Sequence, residues 1–371
     1  MRKRWVGAAL VALLAGAVLE GTSGVSRGLP VARVVAFEGG GEAGRPSGVG
    51  WAGLAGRGGG GERRPSGADG VGTTILLMGI DDRSTLTRDE LRKFHAGGEA
   101  CHCTDTLMLV HVSAKQDRVS VVSLPRDSLA RIPAHRDPGT GEWVPPHDAK
   151  INSAFKEGGP ALSVRTVEEA TGVPIDHYLQ IDFRRFIDAV NSAGGVDVCT
   201  SREINDPATK LKLPPGTHHL DGGRSLQYVR SRKFDGAADL GRVQRQQRFL
   251  VATLKRLQSH PTDLLKLSRT LLGTIKVDQG FKDTDLLSLA TTLTHLPASS
   301  TEFATVPIAG FNDPLPNIGS TLAWDPDRAP EVFAHLREDR PLTPPNSESR
   351  PSDVPEFTAY EPVRGTSMAC N

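Results

Sequence analysis

Four arginines lie close together along this chain, and they restrict what the chain can fold into. They are Arg230, Arg232, Arg242 and Arg245, with Asp239 between the two pairs. Guanidinium groups at this density cannot share a buried space unless a multivalent anion neutralises them. Arginine presents a planar fork of donors that matches phosphate oxygens in pairs, so the stretch predicts a phosphate site. The alternative is a solvated helix face, whose ion pairs contribute little to stability.

Three apolar runs upstream carry acidic and basic residues at one end, and these residues suit the same anion. Residues 74–80 precede Asp81 and Arg83, residues 107–112 follow Asp105, and residues 119–124 precede Arg126 and Asp127. The runs have the length and flanks of buried strands whose ends open into a site. Carboxylates beside arginines are typical of Mg²⁺ on a pyrophosphate, because Mg²⁺ prefers one or two carboxylates with phosphate oxygens and waters.

Further polar side chains stand where helices are predicted. Arg242 and Gln246 are four residues apart, so on a helix they project from one face. Lys150 and Asn152 stand at the start of another helical stretch. A contact of these two residues with the anion is one interpretation, and a helix cap formed by Asn152 is the other.

Taken in order, these motifs resemble those of the LytR-CpsA-Psr family. The matching segments are residues 79–83, 104–106, 125–127, 150–152, 194–198, 226–232 and 241–246. The resemblance implies a membrane-anchored phosphotransferase that faces the outside of a Gram-positive cell. It implies that the enzyme moves an anionic glycopolymer from an undecaprenyl-pyrophosphate carrier onto peptidoglycan, with Mg²⁺ assistance. The motifs leave open whether that polymer is wall teichoic acid, another anionic glycan or a capsular polysaccharide.

The resemblance also implies a role for each matching residue. The implied metal ligands are Asp81 and Asp105, the implied catalytic residues are Arg126, Asp127, Arg230 and Arg232, and the implied substrate-binding residues are Arg83, Lys150, Asn152, Arg242 and Gln246. Arginines and Mg²⁺ would neutralise the charge that develops on the departing phosphate. Asp127 is a candidate for taking the proton of the acceptor hydroxyl, and the alternative is that Asp127 pairs with Arg126 or caps a turn. The lipid carrier would need an apolar groove, which Leu- and Val-rich helices can line.

The chain departs from the family pattern just ahead of Thr104. Family members commonly have an arginine there, whereas this chain has Cys101, His102 and Cys103. The spacing of the two cysteines and the lack of a second ligand pair disfavour a zinc site. We expect a disulfide from Cys101 or Cys103 to Cys199, and buried free thiols are the alternative.

The remaining segments predict the organisation of the chain. A basic start (residues 1–4) precedes an uncharged run (residues 5–19), which is predicted to be a signal anchor in the cell membrane; a signal cleaved after Ala17 is the alternative. Residues 20–72 are Gly-rich and predict a flexible tether. The catalytic domain is predicted over residues 73–340, and a disordered tail over residues 341–371. The net charge of +1 argues against a strong nucleic-acid binder.

Within residues 73–340, strand and helix patterns alternate, which predicts an α/β fold with an α-β-α sandwich around a central mixed sheet. Further strands are predicted at residues 177–181, 196–199 and 301–308, and helices at residues 161–170, 183–192, from residue 239, 284–296 and 329–336. Two other functions remain open for a chain with this resemblance. One is a polyprenyl-pyrophosphate hydrolase with water as acceptor. The other is a transcriptional attenuator, which the exported topology and the missing helix-turn-helix signature disfavour.

Overall fold

A mixed β-sheet, built largely from the apolar runs, forms the centre of the fold. The protein is represented by a computed structural model that describes residues 72–98, 100–233, 238–260, 276–282, 285, 289, 292–344 and 361–368. These described residues belong to one compact unit. The predicted anchor and all of the predicted tether except Gly72 lie outside them. Within the described ranges, no helix is both long enough and apolar enough to cross a bilayer.

A strand is present at each of the six predicted positions, and the remaining strands were not predicted. The strands are β1 (Thr73–Ile80), β2 (Thr104–Val112), β3 (Val119–Ser123), β4 (Leu129–Ile132), β5 (His135–Arg136), β6 (Trp143–Val144), β7 (His147–Lys150), β8 (His177–Ile181), β9 (Val196–Thr200), β10 (Ile204–Asn205), β11 (Lys212–Leu213), β12 (Gly216–Leu220), β13 (Lys276–Val277), β14 (Thr301–Thr305), β15 (Ile308–Phe311), β16 (Leu322–Trp324) and β17 (Val363–Arg364). The one long prediction that differs is residues 301–308. There the strand ends at Thr305 and β15 begins after Pro307, because proline lacks the N–H that a ladder needs.

Among the helices with described bounds, three begin within one residue of a predicted start, and two were not predicted. The helices are α1 (Arg88–Lys93), α2 (Ser153–Thr171), α3 (Phe183–Ser192), α4 (Gly222–Arg230), α5 (Ala238–Ser259) and α6 (Arg328–Arg337). Asp182 caps α3, as predicted, by accepting a hydrogen bond from the Arg185 N–H. Helix α2 starts directly after the helix start predicted at residues 150–152 and includes the helix predicted at residues 161–170. It is interrupted at Gly158 and Gly159, where Gly159 has a φ of 67°. Within the predicted helix at residues 284–296, the described residues 285, 289 and 292–295 are helical, and residues 284, 286–288 and 290–291 lie outside the described residues.

The strand order places the ends of the first three strands next to each other. The central sheet has the order β13-β8-β1-β2-β3-β14-β17. Strand β2 is antiparallel to both β1 and β3, whereas β8 and β14 run parallel to their neighbours β1 and β3. The C-terminal ends of β1 and β3 therefore lie beside the N-terminal end of β2. This edge of the sheet carries the charged residues that the sequence placed at the strand ends.

Each face of the sheet is covered by helices, which confirms the predicted sandwich. On one face, alternate residues such as Leu77 and Met108 pack against the helices α3 and α5. On the other face, the intervening residues such as Leu76 and Leu109 pack against α2 and α6. Side chains alternate across a strand, so two apolar faces require strands that are apolar at nearly every position. The near-continuous apolar runs of β1 and β2 meet this requirement.

Part of the segment predicted as a disordered tail belongs to the fold, so that prediction is wrong for these residues. Strand β17 pairs antiparallel with β14 and extends the central sheet. Upstream of it, the buried carboxylate of Glu302 accepts hydrogen bonds from the backbone N–H of Leu342 at 2.9 Å and of Thr343 at 3.2 Å. These are long-range contacts, which the local composition of the tail could not reveal.

Candidate active site

The bulged junction of β1 and β2 brings Asp81 and Asp105 to the same edge of the sheet. Ile80 pairs with Thr104 after a register shift at Gly79, and the Asp81 N–H donates to the Cys103 carbonyl at 3.0 Å. A bulge at the end of a ladder redirects the side chains that follow it. Asp81 is buried and Asp105 is half-buried.

Asp105 lies between two of the predicted arginines. Its Oδ1 atom forms a close ion pair with Nη1 of Arg126 and lies 3.9 Å from Nη1 of Arg242. Burial raises the pKa of the Asp105 carboxyl, but the positive charges of Arg242 and Arg126 outweigh burial and hold the pKa below its ordinary value. The carboxyl group is therefore ionised at neutral pH. Both ion pairs use the same oxygen of the carboxylate.

Asp239 is a second acidic centre, and sequence reasoning gave it no role. At the first turn of α5, it lies 2.8 Å from Nη2 of Arg242, 3.8 Å from Nη1 of Arg232 and 3.9 Å from Nε of Arg126. Its position between the two arginine pairs in the sequence was the available signal. The structure adds that Asp239 joins arginines from α5, from the loop before it and from the end of β3.

Arg83 is held mainly by protein groups. Its Nε and Nη2 atoms donate to both oxygens of Asp81 at 2.6 and 2.7 Å, and its Nη1 donates to the carbonyls of Ala96 and Gly97 at 2.9 and 2.7 Å. A direct contact between Arg83 and a phosphate would require some of these bonds to rearrange. In this arrangement Arg83 fixes the orientation of Asp81.

Arg230, at the end of α4, is placed for a ligand more than for a protein partner. Its guanidinium carbon lies 4.9 Å from the centroid of the Phe183 ring, and its Nη1 donates to the His95 carbonyl at 3.3 Å. Burial, and then the positive charge of Arg83, lower the pKa of Arg230 from its ordinary value. Since arginine stays protonated in proteins, the lowered pKa marks an electrostatic cost that a bound anion would remove.

Together these residues form what we call the cationic cluster, with an excess of positive charge. Six cationic side chains face four carboxylates: the cations are Arg83, Arg126, Lys150, Arg230, Arg232 and Arg242, and the carboxylates are Asp81, Asp105, Asp127 and Asp239. Among the described residues, the buried Nε atoms of Arg126 and Arg242 have no hydrogen-bond partner. Buried donors without partners and excess positive charge are the properties of an anion site.

The structure places the other predicted residues at or beside this cluster. Asp127 pairs with Nζ of Lys150 at 2.8 Å and lies 3.6 Å from Nε of Arg126, which matches the predicted alternative of an ion pair. Asn152 stands at the start of α2 but makes no side-chain cap hydrogen bond, so the cap interpretation is wrong. Its amide instead donates to Sγ of Cys103 at 3.6 Å. Gln246 donates to the Val229 carbonyl at 3.3 Å.

An apolar cavity opens beside the cationic cluster, between the sheet and the helices α3, α4 and α5. Its cavity volume is about 150 Å³, and it is partly open to solvent. Apolar side chains from β1, β2, β3 and the three helices line it, among them Leu77, Met108, Val121, Phe186, Leu226 and Leu254. Asp105, Arg230, Arg242 and Gln246 line it as well. The side chains that line an empty apolar cavity lack dispersion contacts on that side, and an apolar ligand would supply them. Because charged residues line the same cavity, the arrangement suits an apolar chain attached to an anionic head.

The cysteine pairing differs from the prediction. Cys101 is joined to Cys103, so the expected link from this pair to Cys199 is wrong. Cys199 is also disulfide-bonded. The ligand atoms of Cys101, Cys103 and Asp105 lie within 4.8 Å of one another, but the disulfide removes the thiolates that zinc would need. The Cys101–Cys103 loop instead abuts the site, because the Cys101 N–H lies 3.4 Å from Oδ2 of Asp81.

Comparison with known proteins identifies relatives. Probable cell wall biosynthesis protein LcpB of Corynebacterium glutamicum is 35% identical over 277 residues, which are 73% of this chain and 62% of LcpB. TagV of Bacillus subtilis, a polyisoprenyl-teichoic acid–peptidoglycan teichoic acid transferase, is 32% identical over 191 residues, which are 50% of this chain and 44% of TagV. The chain spans only 62% and 61% of the length of the first two curated relatives.

Solved structures show the same fold. The crystal structure of B. subtilis TagV aligns with a TM-score of 0.56 at 26% identity, over 74% of this chain and 100% of TagV. TagT bound to LI-WTA aligns with a TM-score of 0.55 at 27% identity, over 74% of this chain and 93% of TagT. The family model for LytR_cpsA_psr matches residues 63–333, which include every predicted site residue. This chain belongs to the LytR-CpsA-Psr family.

Proposed function

We propose that this protein transfers an anionic glycopolymer from a polyprenyl-pyrophosphate carrier to peptidoglycan outside the cell membrane. The observation that carries the proposal is the position of the cationic cluster at the opening of the apolar cavity. A substrate with a pyrophosphate and a lipid tail would fit both, with its pyrophosphate in the cluster and its tail in the cavity. The relatives support it, because TagV is named for teichoic acid transfer to peptidoglycan and TagT has been solved with LI-WTA. The uncharged run at residues 5–19 would hold the catalytic domain near its lipid substrate.

The charges suggest how transfer would proceed. A sugar hydroxyl of peptidoglycan attacks the phosphorus that bears the glycopolymer, a new P–O bond forms, and the bond to the polyprenyl phosphate breaks. The leaving group gains negative charge, which Arg126, Arg230 and Arg242 neutralise without having to reorganise. Asp127, which is held by Lys150, is the proposed acceptor of the hydroxyl proton. The apolar cavity keeps the polyprenyl chain in place while the phosphate leaves.

The donor set also fits a Mg²⁺ ion. Mg²⁺ takes oxygen ligands, and it commonly combines one or two carboxylates with substrate phosphates. Asp105 uses only Oδ1 in its two ion pairs, and Oδ1 of Asp81 has a second lone pair besides the one that accepts from Nε of Arg83. We therefore propose that Asp81 and Asp105 would hold the ion. When bound, Mg²⁺ would supply further neutralisation of the pyrophosphate charge.

A transfer assay tests this function directly. Full-length protein in detergent is incubated with a polyprenyl-pyrophosphate-linked glycopolymer, with and without peptidoglycan, and phosphodiester-linked glycan on the peptidoglycan is measured. We expect product that requires the acceptor. Release of glycopolymer phosphate at the same rate without peptidoglycan would contradict transfer and indicate a hydrolase instead.

A variant that fills the cavity tests the role of the lipid tail separately. Ala189, on α3, is buried and lines the cavity. We expect Ala189→Trp to lower kcat/KM at least about tenfold for long-chain substrates. The indole ring would displace methylenes of the lipid tail from the cavity, and each displaced methylene loses about 0.8 kcal/mol of burial free energy. Short-chain pyrophosphates should be turned over nearly as before.

The control for the cavity variant is Ala161→Trp, an exposed position on α2 in the opposite helix layer. This change should leave the kinetics with both substrates unaltered. Equal losses for short-chain and long-chain substrates in Ala189→Trp would show that the cavity does not hold the tail.

A further inference from the structure

Two similar segments outside the cationic cluster orient a pair of histidines in the same way. Each segment has the pattern apolar-Pro-x-His, at residues 132–135 and 144–147. Nδ1 of His135 lies 3.0 Å from the Pro133 carbonyl, and Nδ1 of His147 lies 3.1 Å from the Pro145 carbonyl. A carbonyl oxygen can only accept, so both Nδ1 atoms carry the hydrogen. In each neutral ring the free lone pair is then on Nε2.

Both Nε2 atoms face one carboxylate oxygen. Oε2 of Glu157 lies 3.0 Å from Nε2 of His147 and 3.7 Å from Nε2 of His135. Glu157 stands in the first part of α2, directly before the interruption at Gly158. Two bare nitrogen lone pairs directed at a carboxylate repel it unless a cation, either a proton or a metal ion, lies between them.

We propose that His135, His147 and Glu157 form a binding site for a divalent transition metal ion, with zinc as the best match. Zinc takes imidazole nitrogen and carboxylate oxygen at about 2.0–2.2 Å and commonly keeps a water as fourth ligand where the protein supplies three. Metal-binding imidazoles usually donate their other N–H to a carbonyl or carboxylate, which both rings do here. The side chains of His147 and Glu157 are 35% and 27% exposed, so the ion and its water can reach the site from solvent.

The two histidines must move towards each other before both can bind one ion. The two imidazole centroids are 6.1 Å apart. Two imidazoles on one tetrahedral zinc have centroids roughly 5 Å apart, given the zinc–nitrogen bond length, so the rings must approach by about 1 Å. His147 lies on the short strand β7, between loops, which can supply such a movement.

Metal binding at this position would connect two segments that lead into the active site. His147 precedes Lys150 on β7, and Glu157 follows Asn152 on α2. An ion held by both histidines and Glu157 would tie β5 and β7 to the first part of α2. The inference does not depend on the proposed transferase activity, because it rests on the local geometry alone.

Zinc binding to the full-length protein tests the proposal. After chelator treatment, zinc chloride is titrated in competition with a chromogenic chelator, and we expect about one zinc per chain at this site. His147→Ala and Glu157→Gln should each weaken binding at least about tenfold. Cobalt should give the visible absorption of a tetrahedral ion in the wild-type protein and lose it in both variants. Circular dichroism checks that the variants are folded, and Glu157→Gln keeps the side-chain shape.

The matched control is His218→Ala, which removes a histidine elsewhere. The Nε2 of His218 is occupied by a contact with the Pro214 carbonyl at 2.7 Å, so this residue does not present the same lone pair. Its removal should leave zinc affinity unchanged. Equal zinc binding by wild type and by the double variant His135→Ala, His147→Ala would overturn the proposal. The proposal would also be overturned if no zinc bound and the melting temperature depended on pH only in the wild type. That result would identify a contact between a protonated histidine and the carboxylate instead.

Discussion

Replacing Arg230 by alanine is expected to lower turnover at least about a hundredfold and to change the free energy of unfolding by less than about 1 kcal/mol. In the proposed mechanism the guanidinium group neutralises charge on the transferring phosphate, so its removal would remove transition-state stabilisation. Stability changes little because the lost contact with the Phe183 ring is offset by relief from the positive charge of Arg83. Steady-state kinetics and thermal unfolding of the same preparation measure both effects.

Arg126 provides an informative comparison with Arg230. Burial lowers the pKa of Arg126, but the carboxylates of Asp105, Asp239 and Asp127 outweigh burial and raise the pKa above its ordinary value. Arg126→Ala should therefore lower turnover to a similar extent and also destabilise the fold. Arg131→Ala is the control, since Arg131 is exposed and pairs with Asp148 outside the cluster. Near wild-type turnover in Arg230→Ala or Arg126→Ala would remove that residue from the anion site.

The features that the sequence predicted well are those set by neighbouring residues. The apolar runs that became β1, β2 and β3 lead directly into or out of Asp81, Asp105 and Arg126, so a correct strand prediction also places these side chains at a sheet end. The cap at Asp182 is likewise a local signal, read from one residue ahead of an amphipathic helix. Short-range patterns of this kind need no knowledge of how distant segments pair.

The features that the sequence did not predict depend on contacts between distant segments. Glu302 binds Leu342 and Thr343, about forty positions later, and β17 joins the sheet from still further along the chain. The cysteine pairing failed for the opposite reason, since the bond closes between near neighbours rather than reaching Cys199. Which cysteines pair cannot be deduced from spacing alone.

Within the site, the sequence indicated which residues take part but not how they pair. Arg83 was predicted as a phosphate contact, yet its donors are engaged by Asp81 and three backbone carbonyls. Asp239 had no predicted role, yet it contacts three arginines. Gln247 lies beside a predicted residue and instead connects α5 to Ser123 Oγ and the Ala304 carbonyl, both at 2.9 Å. Guanidinium groups can choose among several carboxylates, so only the three-dimensional arrangement decides the partners.

The balance of charge in the site has opposite consequences for its acids and its arginines. The arginines outnumber the carboxylates, so a carboxylate lost from the cluster leaves buried positive charge with less compensation. An arginine such as Arg230, by contrast, is in surplus until the substrate arrives. A site arranged for a multivalent anion should therefore lose stability when an acid is neutralised, and should regain it when an anion binds.

Asp105→Asn should show this effect most strongly. We expect the variant to lose roughly 3 kcal/mol of stability at neutral pH, because Arg126 and Arg242 lose the charge that pairs with them. We also expect turnover to fall at least about a hundredfold, and the Mg²⁺ concentration for half-maximal activity to rise, since an amide cannot supply the negative charge that holds a hard cation. Asp148→Asn, at an exposed ion pair with Arg131, is the control and should change neither property.

The pH dependence of the Asp105→Asn effect provides its decisive test. The pKa of Asp105 is lower in the folded chain than in the unfolded chain, where it is about 3.9. Its contribution to stability is therefore present in full above that unfolded value and is lost as the pH falls through the folded value. The stability difference between wild type and Asp105→Asn should shrink in acid, and inorganic pyrophosphate should stabilise the variant more than the wild type at neutral pH. A difference that stays constant from pH 7 down to about pH 2 would mean that Asp105 does not neutralise the arginines.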